Sequence, residues 1–381
     1  MEKLNSPKIY IVAGEPSGDI LGDKLIKTLQ AKFNSPIFNG VGGERMQSNN
    51  FISLFEMSDI SIFGIFPVLR KLFFLINRIN DVVNDIIQKK PNIIILIDSP
   101  DFNHRVAKKV KRHLPDVPIV CYVAPTVWAW RQGRAKKMSK YFDHLLSIIP
   151  FEVNFFKKYG LKTTYIGHPF IETIKKIDDT NFKKKYDLHD GKTIIFLPGS
   201  RSGEIDRHSP IMSEAIKYLK EQNFKLNILI AAGQKQLNQM RVYFPDVKII
   251  TNDNEKYSLF KNADFACAAS GTVVLELGLT DTPTIVIYKM DKFTWFFVSK
   301  MVKVQFVSLV NLILGRESSK ELLQDRYTKE NLINELNKLL LNEKIQKKQI
   351  KDLKEFNMIM NKGINDPSEN ATRIISKILE N

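Results

Sequence analysis

Short apolar runs alternate along this chain with stretches whose apolar residues recur every three or four positions, as strands alternating with amphipathic helices do. In the first half, strands are expected at 8–13, near Ile37-Phe38, at 93–97, 119–123 and 145–149, with a last one at Tyr165-Ile166. Helices are expected from about Asp19 to Phe33, around 77–89 and around 104–113. Ile93-Ile94-Ile95-Leu96-Ile97 is apolar throughout, which suits a strand in the buried middle of a parallel sheet. The second half repeats the alternation with strands at 193–197, 226–231, 247–250, 264–267 and 284–288. From about residue 329 the chain reads as helices with Lys- and Glu-rich faces. The charged stretch 173–190 has no strong apolar period and reads as a linker. The pattern predicts an α/β protein with two doubly wound parallel sheets, one within 1–172 and one within 173–350, followed by helices over 351–381 that return to pack on the first domain or are exchanged in a dimer.

One local pattern occurs in both halves. An apolar strand runs into a glycine turn at Ala13-Gly14-Glu15-Pro16-Ser17-Gly18-Asp19 and again at Leu197-Pro198-Gly199-Ser200-Arg201-Ser202-Gly203-Glu204. Such openings are where α/β sheets build ligand sites, because peptide N–H groups point into the crevice there. Two of them predict two domains facing one cleft.

Composition narrows the partners. Apolar residues make up 44% and charged residues 26%, which is ordinary globular material. The two cysteines, Cys121 and Cys267, lie in apolar runs without metal-ligand spacing and are expected to be buried thiols. The apolar stretch at Ile9 is only a strand long, so no signal peptide is expected. A balance of 57 Lys+Arg against 41 Asp+Glu gives +16 and calls for a polyanionic partner. Two basic-aromatic segments, 60–75 and 289–303, are too short and interrupted to span a bilayer but suit docking on an anionic membrane surface. Their alternative role is in a core or a dimer interface. A basic nucleic-acid-binding protein is the rival of another class, but no DNA or RNA module accompanies the charge.

Several chemistries are excluded by motif. Neither glycine turn is followed by the Lys of a Walker loop, neither reads G-x-G-x-x-G, and Ser17 is not in G-x-S-x-G. No D-x-D occurs to hold a metal on a nucleotide diphosphate, so neither metal nor cofactor is expected. The candidates that remain stand at strand ends. Asp98 ends the buried strand, where a carboxylate can act as general base or cap the next helix. Arg201 is placed to grip a phosphate, or else is a solvated arginine. Ser270-Gly271-Thr272 opens a helix whose N–H groups could bind a pyrophosphate, with Glu276 one turn further in and in reach of a ribose; helix capping is the plainer explanation. Trp128 and Trp130 could stack on a sugar, line an acyl groove or pack in the core. His168 is a ligand contact or a structural histidine, and His104, His113, His144, His189 and His208 read as surface residues.

Taken together these motifs resemble a known family. Gly14-Glu15-Pro16-Ser17-Gly18-Asp19, Gly40-Val41-Gly42-Gly43-Glu44-Arg45-Met46, Asp98-Ser99-Pro100-Asp101-Phe102-Asn103, Pro125-Thr126-Val127-Trp128-Ala129-Trp130, Gly167-His168-Pro169, Pro198-Gly199-Ser200-Arg201 and Ser270-Gly271-Thr272 with Glu276 resemble the lipid A disaccharide synthases, in the family's order from about residue 8 to Gln324. The resemblance implies a GT-B-type fold of two Rossmann-like domains and an inverting, metal-independent glycosyl transfer. UDP-2,3-diacylglucosamine and 2,3-diacylglucosamine 1-phosphate (lipid X) would give the β-1,6-linked disaccharide 1-phosphate and UDP. It further implies work at the cytoplasmic face of the Gram-negative inner membrane, and a homodimer with exchanged C-terminal segments. Asp98 would then be the base, with Glu15 and Ser17 on the acceptor side. Gly199, Ser200, Arg201, Ser270, Gly271, Thr272 and Glu276 would hold the UDP-sugar, and Asn311, with Glu321 and Gln324, would border it. This chain has Val310 where the family usually has proline. An enzyme on the same scaffold, such as a UDP-N-acetylglucosamine 2-epimerase, is the nearest alternative.

Overall fold

The computed structural model describes residues 6–61, 72–130, 132–177, 182–222, 224–291, 294–295, 299 and 304–380. The chain divides into two compact units, Met1–Pro169 with Gly363–Asn381, and Phe170–Lys362. The returning segment therefore begins at Gly363 rather than at 351, because the helix Glu343–Asn361 packs within the second unit on the helices Thr272–Leu279, Leu309–Leu314 and Lys329–Leu341. The expected linker is also partly structured, since Phe182 is buried and Asn227 holds the backbone of His189.

The first unit is a seven-stranded parallel sheet in the order β3-β2-β1-β4-β5-β6-β7, formed by Lys8–Ala13 (β1), Ile37–Val41 (β2), Phe51–Ser53 (β3), Ile93–Ile97 (β4), Ile119–Tyr122 (β5), His144–Ser147 (β6) and Thr163–Tyr165 (β7). The apolar runs reflect burial on both faces. Tyr10, Val12, Ile94 and Leu96 join one core with Val82, Ile86, Val106 and Val110. Their sequence neighbours Ile9, Ile11, Ile93, Ile95 and Ile97 join another with Leu25, Leu29, Ala371 and Ile375. The helix after β1, Pro16–Lys32, thus covers one face and the helix after β4, Pro100–His113, the other. The C-terminal helix Pro367–Leu379 lies against Pro16–Lys32, with Thr28 Oγ1 and Thr372 Oγ1 2.6 Å apart.

The second unit repeats this order with six strands, β10-β9-β8-β11-β12-β13, formed by Lys192–Leu197 (β8), Leu226–Ala231 (β9), Lys248–Ile250 (β10), Phe265–Ala269 (β11), Thr284–Tyr288 (β12) and Glu321–Leu323 (β13). The helix Ser202–Glu221 covers the face that carries Ile194 and Phe196. The short strands β3 and β13 have no counterpart in the sequence reading, and three residues leave too little room for a periodic signal.

Both cysteines are buried and unbridged. Contrary to the sequence reading, His104, His144 and His208 are buried too. So is Glu152, at the start of the helix Glu152–Lys157. Trp128 Nε1 donates to its Oε1 at 3.0 Å. Ser147 Oγ lies 2.5 Å from Oε2 and 2.7 Å from the Ile149 carbonyl. One hydroxyl proton serves one of these acceptors, and a proton on Glu152 satisfies the other contact. Burial pushes this carboxyl up to about 8, against the bonds from Ser147 and Trp128 that pull it down. A folded-state value above the unfolded one means stability that is present at acid pH and declines as pH rises through that window. Glu152→Gln should therefore gain stability relative to the parent chain between about pH 5 and pH 8, by up to about 1.4 kcal/mol per unit. Parallel denaturation profiles for the two proteins would exclude a protonated Glu152.

Candidate functional site

In each unit the first and fourth strands in chain order lie side by side, and their carboxyl ends carry the candidate residues. In the first unit Ala13 pairs with Ile97, so the chain leaves β1 through Gly14-Glu15 beside the point where it leaves β4 through Asp98-Ser99. The two exits touch. A Cβ on Gly14 would stand 2.3 Å from Ser99 Oγ, so only glycine fits there. Asp98 and Ser99 both take left-handed backbone angles, with φ of 53° and 45°, and Val123 at the neighbouring end of β5 has φ of 74°. Each such residue costs on the order of 1–3 kcal/mol, and strain of this kind concentrates at functional sites.

Ser17 Oγ donates to Asp98 Oδ2 at 3.0 Å, and the Ser99 N–H donates to Oδ1 at 3.0 Å. Asn103 Nδ2 holds the carbonyls of Ile97 and Asp98 from the following helix. Asp98 does not cap that helix: its N-cap is Ser99, which makes no side-chain cap bond. The half-buried carboxylate is thus oriented by a hydroxyl and an amide and keeps lone pairs for a further partner, the arrangement of a proton acceptor. Glu15 is the N-cap residue of Pro16–Lys32, two positions from Ser17.

Asp19 joins two of the motifs. Its buried carboxylate accepts the N–H groups of Gly43 (2.8 Å), Arg45 (3.2 Å) and Met46 (3.2 Å). A Cβ on Gly43 would lie 2.6 Å from its Oδ2, and Met46 Sδ would meet one on Gly22 at 2.4 Å. The first glycine turn and Gly40–Met46 are therefore one interlocked piece. An acidic residue on the buried face of a helix is the signal that marks Asp19 in sequence.

Trp128 is a core residue, tied to Glu152 and edge-on to Phe151 at 5.0 Å. The Trp130 side chain lies outside the described residues, as do 62–71 of the first basic-aromatic segment and most of 292–303 of the second. At the edge of the first, Phe73 is 83% exposed, while Arg78 stacks on Phe55 and Phe74.

In the second unit Ala268 pairs with Leu197, which sets Pro198–Arg201 beside Ser270-Gly271. Gly199 has φ of 131°, and Glu204 folds back under the turn. Its carboxylate accepts the N–H groups of Ser200 (3.2 Å) and Arg201 (3.4 Å), leaving the Arg201 side chain 76% exposed. Gly271 and Thr272 are exposed at the start of Thr272–Leu279, where no side chain caps the first turn. A Cβ on Gly271 would meet nothing within 4 Å, so there is room above this helix end. Glu276 lies one turn further along, half-buried.

Asn311 does not belong to this group. It is fully buried, with Nδ2 donating to the Ser319 carbonyl and Glu321 Oε1 and Oδ1 accepting from the N–H groups of Ser318 and Ser319. Its hydrogen-bonding capacity is spent on the fold, and none is left for a sugar. Glu321 is committed similarly, to the N–H groups of Val307 and Ser308. Val310 packs against Gly278, and Ser308 caps the helix Leu309–Leu314, so the turn is fixed without proline.

Among the described residues no three His, Cys, Asp or Glu side chains gather as a metal site, and no helix is long and apolar enough to cross a membrane. The fold is shared with solved structures. A UDP-GlcNAc 2-epimerase from Neisseria meningitidis bound to UDP-GlcNAc superposes with a TM-score of 0.65 at 13% identity, over 98% of this chain and 100% of that one. MnaA of S. aureus in complex with UDP gives 0.65 at 14%, over 97% and 95%. MurG of Acinetobacter baumannii gives 0.58 at 12%, over 98% and 99%. At such identities the likeness is one of fold, and it supports the two Rossmann-like units of a GT-B-type protein. Sequence relatives are nearer. The lipid-A-disaccharide synthase of Rickettsia bellii is 36% identical over 377 residues, 97% of this chain and 98% of that one. That of Nitrobacter hamburgensis is 33% identical over 378 residues, 97% and 95%. The family model of the lipid-A-disaccharide synthetases matches residues 9–375, and the chain belongs to that family.

Proposed function

We propose that this protein is an inverting glycosyltransferase that joins UDP-2,3-diacylglucosamine to 2,3-diacylglucosamine 1-phosphate, giving the β-1,6-linked lipid A disaccharide 1-phosphate and UDP. Family membership over 9–375 carries the reading. The oriented Ser17–Asp98 pair supplies a group suited to the chemistry.

In this reading Asp98 takes the proton of the acceptor's 6-hydroxyl as that oxygen attacks the anomeric carbon. The bond from that carbon to the UDP phosphate breaks, its electron pair leaves with UDP, and the configuration inverts. Ser17 and the Ser99 amide hold the carboxylate in line, and Glu15 contributes to the acceptor side. Negative charge grows on the diphosphate as it departs. The exposed Arg201 guanidinium, the turn Gly199-Ser200 and the uncapped helix start at Ser270-Gly271-Thr272 offer it positive charge and N–H groups without a metal. Glu276 is assigned to the ribose. Two acylated substrates also account for the net charge of +16 and for Phe73 standing in solvent, as on a protein that docks on the anionic cytoplasmic face of the inner membrane. A homodimer is part of the same reading, and no nucleic acid partner is.

The purified protein should release UDP and form disaccharide from these two substrates and no others of the same scaffold's repertoire. Asp98→Ala should lower kcat by at least about a hundredfold with the donor KM little changed; turnover near the parent rate removes Asp98 from the base role. Activity should survive exhaustive chelation, and its loss in a folded enzyme would overturn the account of Arg201 and the helix start. Phe73→Ser should weaken sedimentation with vesicles containing anionic phospholipid, and unchanged binding would take this residue out of the docking surface.

A further inference from the structure

The helix Ser202–Glu221 ties together loops that the sequence leaves far apart, and its buried His208 is the centre of that tie. His208 Nδ1 lies 2.6 Å from the carbonyl oxygen of Pro198, and the Lys289 N–H donates to Nε2 at 2.9 Å. A carbonyl only accepts and an amide N–H only donates, so Nδ1 carries the proton and Nε2 is bare. No other protonation state satisfies both neighbours. Arg207, one residue earlier, donates from Nε to the Lys289 carbonyl at 3.0 Å, so Lys289 is held at both its N–H and its C=O. Tyr327 donates to the His208 carbonyl at 2.8 Å from beyond β13.

We infer that His208 is a positioning residue, which sets the turn Pro198–Arg201 against the end of β12 and thereby controls the affinity of the donor site for its nucleotide. The inference rests on the donor-site reading above. Its two ring contacts and the cost of losing them support it. Pro198 opens the turn that presents Gly199, Ser200 and Arg201. Lys289 is the first residue after β12, the strand that pairs with β11 and so neighbours the Ser270–Thr272 helix start. An apolar side chain of the same size would leave both the Pro198 carbonyl and the Lys289 N–H without their partner.

The groups facing the imidazole decide how it responds to acid. They are Glu204 and Arg207 on its own helix, the Pro198 carbonyl, the Lys289 N–H, and the rings of Tyr288 and Tyr327 at 5.7 and 5.9 Å. Burial lowers its pKa, with Arg207 acting in the same direction, while the Pro198 carbonyl and Glu204 oppose them. A second proton would place an N–H against the N–H of Lys289 and break the tie.

The test uses the full chain, UDP as the probe, and two variants. In His208→Gln the amide can still donate to Pro198 and accept from Lys289; in His208→Leu it can do neither. UDP affinity should stay within about threefold of the parent in the Gln variant and fall by about tenfold or more in the Leu variant, as expected for unmet buried polar groups. The parent should lose UDP affinity as the pH is lowered, more steeply than the Gln variant. Hydrogen exchange at 199–201 and 289–291 should rise together in the Leu variant only. Equal affinity and equal exchange in all three proteins would overturn the inference, as would equal damage by both substitutions, which would assign His208 to packing. A parent chain that binds no UDP would refute the donor-site reading instead. The paired exchange measurement would still decide whether His208 holds the two loops together.

Discussion

The structure depends on one topological constraint, met twice. In each parallel sheet the first strand lies between the second and the fourth, so the chain crosses over one face after the first strand and over the other after the fourth. The alternating residues of β1 and β4 show this, each strand feeding two separate cores. Loops that leave neighbouring strands in opposite directions open a crevice above them. In the first unit the crevice is so narrow that Gly14 and Ser99 meet within van der Waals distance. The left-handed angles of Asp98, Ser99 and Val123 are then consequences of the bend. The buried strands beneath hold that strain in place.

The same constraint yields different chemistry in the two halves because the residues at the bend differ. In the first unit a carboxylate is aimed by a hydroxyl and an amide. In the second, a carboxylate is instead turned inward: Glu204 accepts the N–H groups of Ser200 and Arg201 and so holds the turn in shape from below. The first arrangement suits removal of a proton, and the second suits reception of an anion by Arg201 and the adjacent helix start. The proposed reaction, with one sugar whose hydroxyl is activated and one whose diphosphate is released, would use both arrangements.

Much of this was legible in the sequence, for a physical reason. Strands buried on both faces must be apolar throughout, so β1, β4 and β8 announce themselves, and the small residues after them announce the bends. Edge strands β3 and β13 are too short to carry a period. The roles of single polar residues were harder to read. Asn311 stands in a motif that resembles a sugar-binding segment, yet its amide is fully used by Ser318, Ser319 and Glu321. A motif fixes which residue is present but leaves open which way its hydrogen bonds run. His208 is the opposite case: a polar residue with no metal-ligand spacing reads as surface in the sequence, and it is wholly buried.

Buried polar groups such as Asp19, Glu152 and His208 share a property that composition cannot reveal. Each has partners whose donor or acceptor character is fixed by the backbone, and the protonation state follows from the partners. Asp19 meets three N–H groups and is matched by an ionised carboxylate. Glu152 meets a hydroxyl already claimed by a carbonyl and is matched by a protonated one. His208 meets one C=O and one N–H and is matched by a single neutral tautomer. An apolar core tolerates repacking, whereas a polar group with unlike neighbours has one correct orientation. These residues therefore fix, each within its own unit, how the loops around them sit to within a hydrogen bond's tolerance.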